Sequence, residues 1–125
     1  MDISEQTQQL AADLAAAPGR LQNQVRPVVS KGALNIKNDW RGRSSGLAHA
    51  PAYPASIGYD PYEEAGFIGA EIGPDKNKRQ GPLGNILEFG TSKNAPRLDG
   101  QQALAAEEPR FIAALEAVVE TATLP

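Results

Sequence analysis

Asn85-Ile86-Leu87-Glu88-Phe89-Gly90-Thr91 brings an apolar pair, a carboxylate, an aromatic, a glycine and a β-branched hydroxyl into one turn-sized unit. The stretch reads as a structural joint. A glycine after the aromatic permits a positive φ that strains most other residues, so the chain can leave a short helix, Leu83 to Phe89, and enter an extended exit from Gly90 to Pro96. Leu87 and Phe89 are expected to anchor the reversal and Gly90 to set its backbone. Glu88 and Thr91 are expected to satisfy local donors and acceptors, Glu88 as a cap or as half of an inter-subunit ion pair.

Downstream of the joint, Leu104, Ile112, Leu115, Val118 and Val119 mark the inward face of a last helix from Gln101 to Thr123, with Pro109 in the first turn of its second half. Upstream, Gly73 to Pro82 is a polar stretch closed at each end by Gly-Pro, with no apolar side chain to bury, and reads as a mobile basic loop. Before it lie two strand candidates, Ala55 to Tyr59 and Gly66 to Ile72. Asp60-Pro61 favours a turn between them, giving an antiparallel hairpin. Residues 44–54, with Pro51 and Pro54, read as an extended arm or loop. The strongest periodicity is Leu21, Val25, Val28, Val29, Ala33, Ile36 and Trp40, at steps of three and four, which places them on one helical face. Pro27 lies inside that pattern and is expected to kink or restart the helix. A first helix capped by Asp2 or Ser4 runs to Ala17, and Pro18-Gly19 breaks it. Strands between helices, without strand-helix alternation, give an α+β class: long kinked N-terminal helix, small antiparallel sheet, short helix, C-terminal helix.

The 125 residues are expected to form one domain. Although 41% of the chain is apolar, only 6% is aromatic and alanine is abundant, so each buried position contributes little area and neighbouring subunits are expected to help. The lack of cysteine excludes disulfides and zinc ribbons. No signal peptide or membrane-length apolar run is visible, so a soluble protein is expected. A net charge of −3 argues against a dedicated nucleic-acid binder. The distribution is uneven: Arg20 to Arg43 is basic except for Asp39, whereas the chain from Asp99 onward is acidic except for Arg110.

The residues offer little for catalysis. His49 is the only histidine and its neighbours supply neither acid nor ligand. Asp60 with Glu63-Glu64, or Glu71 with Glu88, lack a spacing that singles them out for acid-base work. Gly66 to Gly73 has the glycine density of a phosphate loop but not its Gly-Lys-Ser/Thr ending, and bending of a strand is the more ordinary use. Lys76, Lys78 and Arg79 form the compact basic cluster, suited to non-specific phosphate contact. Trp40 reads either as core or as an interface anchor. No cofactor and no metal is expected, and the chain reads as a non-enzyme, a small hydrolase or nucleotide-binding enzyme being the alternative from another class.

Ile86-Leu87-Glu88-Phe89-Gly90-Thr91 resembles the signature of small neck and tail-completion proteins, the head-tail joining proteins of long-tailed bacteriophages. The order of elements is similar over most of the chain. The family pattern continues into proline and an aromatic, where this chain has Pro96-Arg97-Leu98. The resemblance implies a structural virion protein that forms a ring, hexameric by the symmetry of phage tails, which joins or completes the tail at the head. A tail terminator or head-closure subunit is the alternative. It implies self-association, adjacent head-closure, tail-terminator or tail-tube proteins, no membrane, and passing genomic DNA that the loop at Lys76, Lys78 and Arg79 could meet. The location implied is the virion neck or tail, with assembly in the host cytoplasm.

Overall fold

A computed structural model describes residues 19–123. The helix expected from Asp2 or Ser4 to Ala17 lies outside them. The main helix, α1 (Gly19–Arg43), runs through Pro27 without a restart. Its stripe is the one the spacing requires: Leu21, Val25, Val29, Ala33, Ile36 and Trp40 are buried and Val28 packs against them. Trp40 therefore belongs to the core. Each fully buried branched side chain on this stripe stabilises the fold by about 1.5–3 kcal/mol.

Two structures cover that stripe. The first is the C-terminal helix, α4 (Asp99–Thr123), which follows two short helices, α2 (Tyr53–Ser56) and α3 (Gly84–Phe89). Along α4, Ala103, Leu104, Glu107, Phe111 and Leu115 are buried. The aromatic at Phe111 takes the central inward position, whereas Ile112, expected to point inward, is half-buried. Pro109 sits within one continuous helix, so the expected division there is absent. Phe111 lies so close to Gly32 of α1 that a Cβ at Gly32 would stand 3.0 Å from its Cδ2. The ring packs on bare backbone. Four ion pairs join Arg26 to Glu63, Arg43 to Asp39, Arg97 to Asp99 and Arg110 to Glu107, and none of these four links α1 to α4.

The second is an antiparallel hairpin of β1 (Ile57–Glu64) and β2 (Phe67–Pro74), longer than expected and turned elsewhere. Asp60-Pro61 does not open the turn. Pro61 lies within β1 opposite Ala70, tolerated because each strand of a two-stranded sheet keeps an open edge. The chain reverses at Ala65 (φ 51°) and Gly66 (φ 85°), the pair of positive φ angles that matches the twist of a two-residue hairpin. Ile57, Ile68, Ala70 and Ile72 are buried on the inner face. The register puts Glu64 opposite Phe67, Tyr62 opposite Gly69 and Asp60 opposite Glu71 on the outer face. A lone hairpin is marginal in water, and packing on α1 supplies what it lacks.

Residues 44–54, expected as an extended arm or loop, form a loop of consecutive turns with Ala50 and Tyr53 buried, leading into α2. Arg41 Nε donates to the Ile57 carbonyl at 2.7 Å and holds this segment to the end of α1. The Gln80 side chain fastens it from the other side, accepting from the Ala52 N–H and donating to the His49 carbonyl. The buried Tyr53 hydroxyl and Trp40 Nε1 have no hydrogen-bond partner among the described residues. Tyr53→Phe is therefore expected to keep full stability or gain about 1 kcal/mol in chemical denaturation, since it removes an uncompensated polar atom. A loss above that would show that the hydroxyl is satisfied.

Candidate interaction site

The joint is held by hydrogen bonds between the end of α3 and the start of α4. A 3-10 turn, Gly81–Leu83, leads into α3. Successive residues of a helix point about 100° apart, so Leu87 and Glu88 turn toward the protein while Ile86 and Phe89, three apart, share the outward ridge. Leu87 packs against the core. Ile86 is 48% and Phe89 63% exposed. Phe89 is thus not an anchor of the reversal, as its aromatic character suggests, but a ring presented to the outside.

Glu88 is 6% exposed and its carboxylate accepts two backbone N–H groups at 3.0 Å, Gly100 to Oε1 and Gln101 to Oε2. These are donors that the first turn of α4 cannot satisfy internally. A carboxylate there also meets the positive end of the helix dipole. The Gln102 N–H bonds to the Leu98 carbonyl, and the Arg97 and Leu98 N–H groups return to the carbonyls of Leu87 and Glu88. The end of α3 and the start of α4 are therefore laced together by main chain and one carboxylate. Glu88 caps α4 through amides twelve and thirteen residues ahead of it and makes no ion pair among the described residues.

Between the two helices the chain makes a tight loop, not the extended exit expected from Gly90 to Pro96. Gly90 closes α3 with its N–H on the Ile86 carbonyl at 2.8 Å and adopts φ 75°, ψ −175°, a conformation nearly confined to glycine. The Thr91 hydroxyl accepts the N–H groups of Lys93 and Asn94 at 3.1 and 3.2 Å, which curls residues 91–94 back. Arg97 then joins the loop to the end of α1: Nε donates to Asp99 Oδ2 at 2.8 Å and Nη2 to the Arg43 carbonyl at 2.9 Å. Arg97 and Asp99 were not legible as members of the joint, because their roles depend on α1 arriving beside them.

Tyr53 lies behind this cluster. Burial pushes its phenol up to about 12, the Trp40 indole N–H, beside it but outside hydrogen-bond geometry, opposes that shift, Glu88 and Asp99 add to it, and Arg97 lowers it. Glu63, on the hairpin, is exposed, and the hydrogen bond from Arg26 holds its carboxyl below the usual carboxylate range. The sign of the linkage follows: a depressed folded pKa adds stability above the unfolded pKa, and that contribution fades as pH falls through the folded value. NMR titration is expected to show the Glu63 midpoint returning to the ordinary range in Arg26→Ala; an unchanged midpoint would mean the pair does not persist in solution.

The other candidates disperse. Lys76, Lys78 and Arg79 are exposed in turns between Asp75 and Gln80, since Gly73 and Pro74 belong to β2 and Gly81 begins the 3-10 turn. His49 is exposed and contributes only its carbonyl to Gln80. Glu71 is exposed in β2 while Glu88 is buried at the helix cap, and Gly66 to Gly73 is the strand itself with its turn glycine. Among the described residues no group of three or more acids and histidines is placed to hold a metal ion, and no helix is long and apolar enough to cross a membrane. A groove of about 310 Å³ between α1 and α4 is lined by Val28, Phe111 and Ala114, with Glu107 at its wall held by Asn35 and Arg110. No protein-family model, no curated protein and no solved structure matches the chain.

Proposed function

We propose that the protein is a structural subunit of a bacteriophage neck, which self-associates into a ring and joins or completes the tail at the head. One observation carries the assembly part of this reading: α3, tied to the start of α4 by the Glu88 carboxylate and by main-chain bonds, exposes Ile86 and Phe89 on one ridge. A free chain gains nothing from holding an aromatic rigidly in water, whereas a partner surface gains a preorganised anchor. The resemblance of Ile86 to Thr91 to the neck and tail-completion signature supplies the phage assignment. The mechanism is geometric, with no bond made or broken: Glu88 and Gly90 fix the ridge, and the ridge meets a neighbour. A tail terminator or head-closure subunit would use the same device against different neighbours.

Phe89→Asp separates this reading from a purely structural role for the ring. Because Phe89 is largely exposed, the variant is expected to unfold within about 0.5 kcal/mol of the parent, as surface changes do. Assembly is expected to fail, read by electron microscopy of phage carrying the change as filled heads and free tails that do not join. Normal particles from that variant would remove the ridge from the mechanism. A reading frame lying among enzyme genes, without portal, capsid or tail-tube genes beside it, would sink the phage assignment.

A further inference from the structure

The outer face of the hairpin tip is a second apolar patch, and its charge is the opposite of that around the α3 ridge. Tyr62 and Phe67 are 37% and 50% exposed. On the same face stand Asp60, Glu64 and Glu71, none of which forms an ion pair among the described residues. In the chain the Ile86–Phe89 ridge lies between cations: Lys76, Lys78 and Arg79, with the exposed acid Asp75 before them, precede the 3-10 turn that leads into α3, and Lys93 follows Gly90. They too have no ion pair among the described residues. The two patches are separate surfaces. Gly84, the first residue of α3, abuts Pro74 at the base of β2, where an added Cβ would stand 2.5 Å from Pro74 Cγ. From that base to Phe67 the strand extends about 20–25 Å.

We infer that the two patches bind each other between copies of this chain, the acidic hairpin tip of one subunit seating on the basic α3 ridge of the next. The inference rests on the assembly reading above and specifies its contact. Charge decides the pairing. Tip against tip would oppose three carboxylates to three, and ridge against ridge would oppose cations, so a two-fold contact through either patch is repulsive. Tip against ridge brings two aromatic and apolar clusters together inside a rim of opposite charges. A contact between two different patches is heterologous, and repeated with a closing rotation it generates a ring.

Carbodiimide cross-linking tests this with the unaltered chain, because the reagent joins a carboxylate to an amine already in contact. An equal mixture of nitrogen-isotope-labelled and unlabelled protein is cross-linked and its peptides are identified by mass spectrometry. Mixed-isotope links from Asp60, Glu64 or Glu71 to Lys76, Lys78 or Lys93 are the expected result, and their yield should fall as salt screens the rim. Glu64→Lys with Glu71→Lys in one variant, and Lys78→Glu with Arg79→Glu in another, should each lower association about tenfold or more, and mixing the two should restore it. All four residues are exposed, so the circular dichroism of both variants should match the parent. Mixed-isotope links through other surfaces would overturn this pairing and leave the ring reading standing. A monomer in light scattering at every concentration, with no intermolecular link, would overturn both. Loss of non-specific DNA binding in the lysine variant, with association unchanged, would assign those cations to nucleic acid and overturn the pairing.

Discussion

Gly90→Val is expected to lower the unfolding free energy by about 3–5 kcal/mol, the largest effect of any exchange at the joint. Two costs add. Gly90 sits at φ 75°, ψ −175°, where a side chain strains the backbone whatever space surrounds it. There is also no space: a Cβ would stand 2.5 Å from the Asn94 carbonyl oxygen and 2.7 Å from the Pro96 nitrogen, both main-chain atoms that cannot rotate away. Relief requires opening the loop curled by Thr91, which carries Arg97 away from Asp99 and from the Arg43 carbonyl. Since domains of this kind are stable by only about 5–15 kcal/mol, the loss is a large share of the whole. Gly46 isolates the first cost. It has φ 82° with nothing within 4 Å of its added Cβ, so Gly46→Val should pay chiefly for the backbone angle, about 1–2 kcal/mol. Chemical denaturation of both variants reads the difference, and equal losses would mean that the loop around Gly90 yields without cost.

The sequence made the long helix legible because large aliphatic residues and Trp40 recur on it at helical spacing with no competing pattern. The order of elements and the mixed class followed from that and from the glycine- and proline-rich breaks. What was illegible depended on contacts between segments distant in the chain. Asp60-Pro61 carries ordinary turn chemistry, yet the register of Ile68, Ala70 and Ile72 on α1 draws the strand past it, and the reversal falls on Ala65-Gly66, where only the glycine has turn preference. Pro109 reads as a helix boundary, but Leu104, Phe111 and Leu115 on both sides of it pack on one partner, which keeps the helix whole. At the joint, the turning role of Gly90 was visible in the glycine itself. The outward position of Phe89 was not, because it follows from Leu87 and Glu88 having inward partners. Glu88 shows the limit most clearly, since a capping box is recognised three residues from its helix start and this carboxylate serves a helix start well beyond that spacing.

Glu88→Ala is expected to cost about 2–4 kcal/mol and to fray the start of α4 before the rest of the molecule unfolds. The Gly100 and Gln101 N–H groups would lose both acceptors, and Gly100 is buried, so water cannot replace the carboxylate there without opening the turn. The Leu98 carbonyl would still hold the Gln102 N–H, which limits the damage to the first turn. Glu88→Gln should fall between parent and alanine: one oxygen can still accept, while the amide nitrogen that replaces the other presents donors to a donor. Hydrogen exchange makes the distinction local. The amides of Gly100 and Gln101 should lose protection in Glu88→Ala while those in the middle of α1 change only by the global loss of stability. Uniform change across the chain, or a cost under about 1 kcal/mol, would mean that the Arg97–Asp99 pair and the main-chain bonds to Leu87 and Glu88 hold the α4 start without the carboxylate. Because the same residue fixes the helix turn that aims Phe89 outward, loss of the cap also loosens the ridge. Glu88→Ala should therefore weaken assembly even where most of the protein remains folded, whereas Phe89→Asp should weaken assembly with the α4 amides fully protected. Opposite exchange patterns with the same assembly defect would separate the residue that positions the surface from the residue that makes the contact.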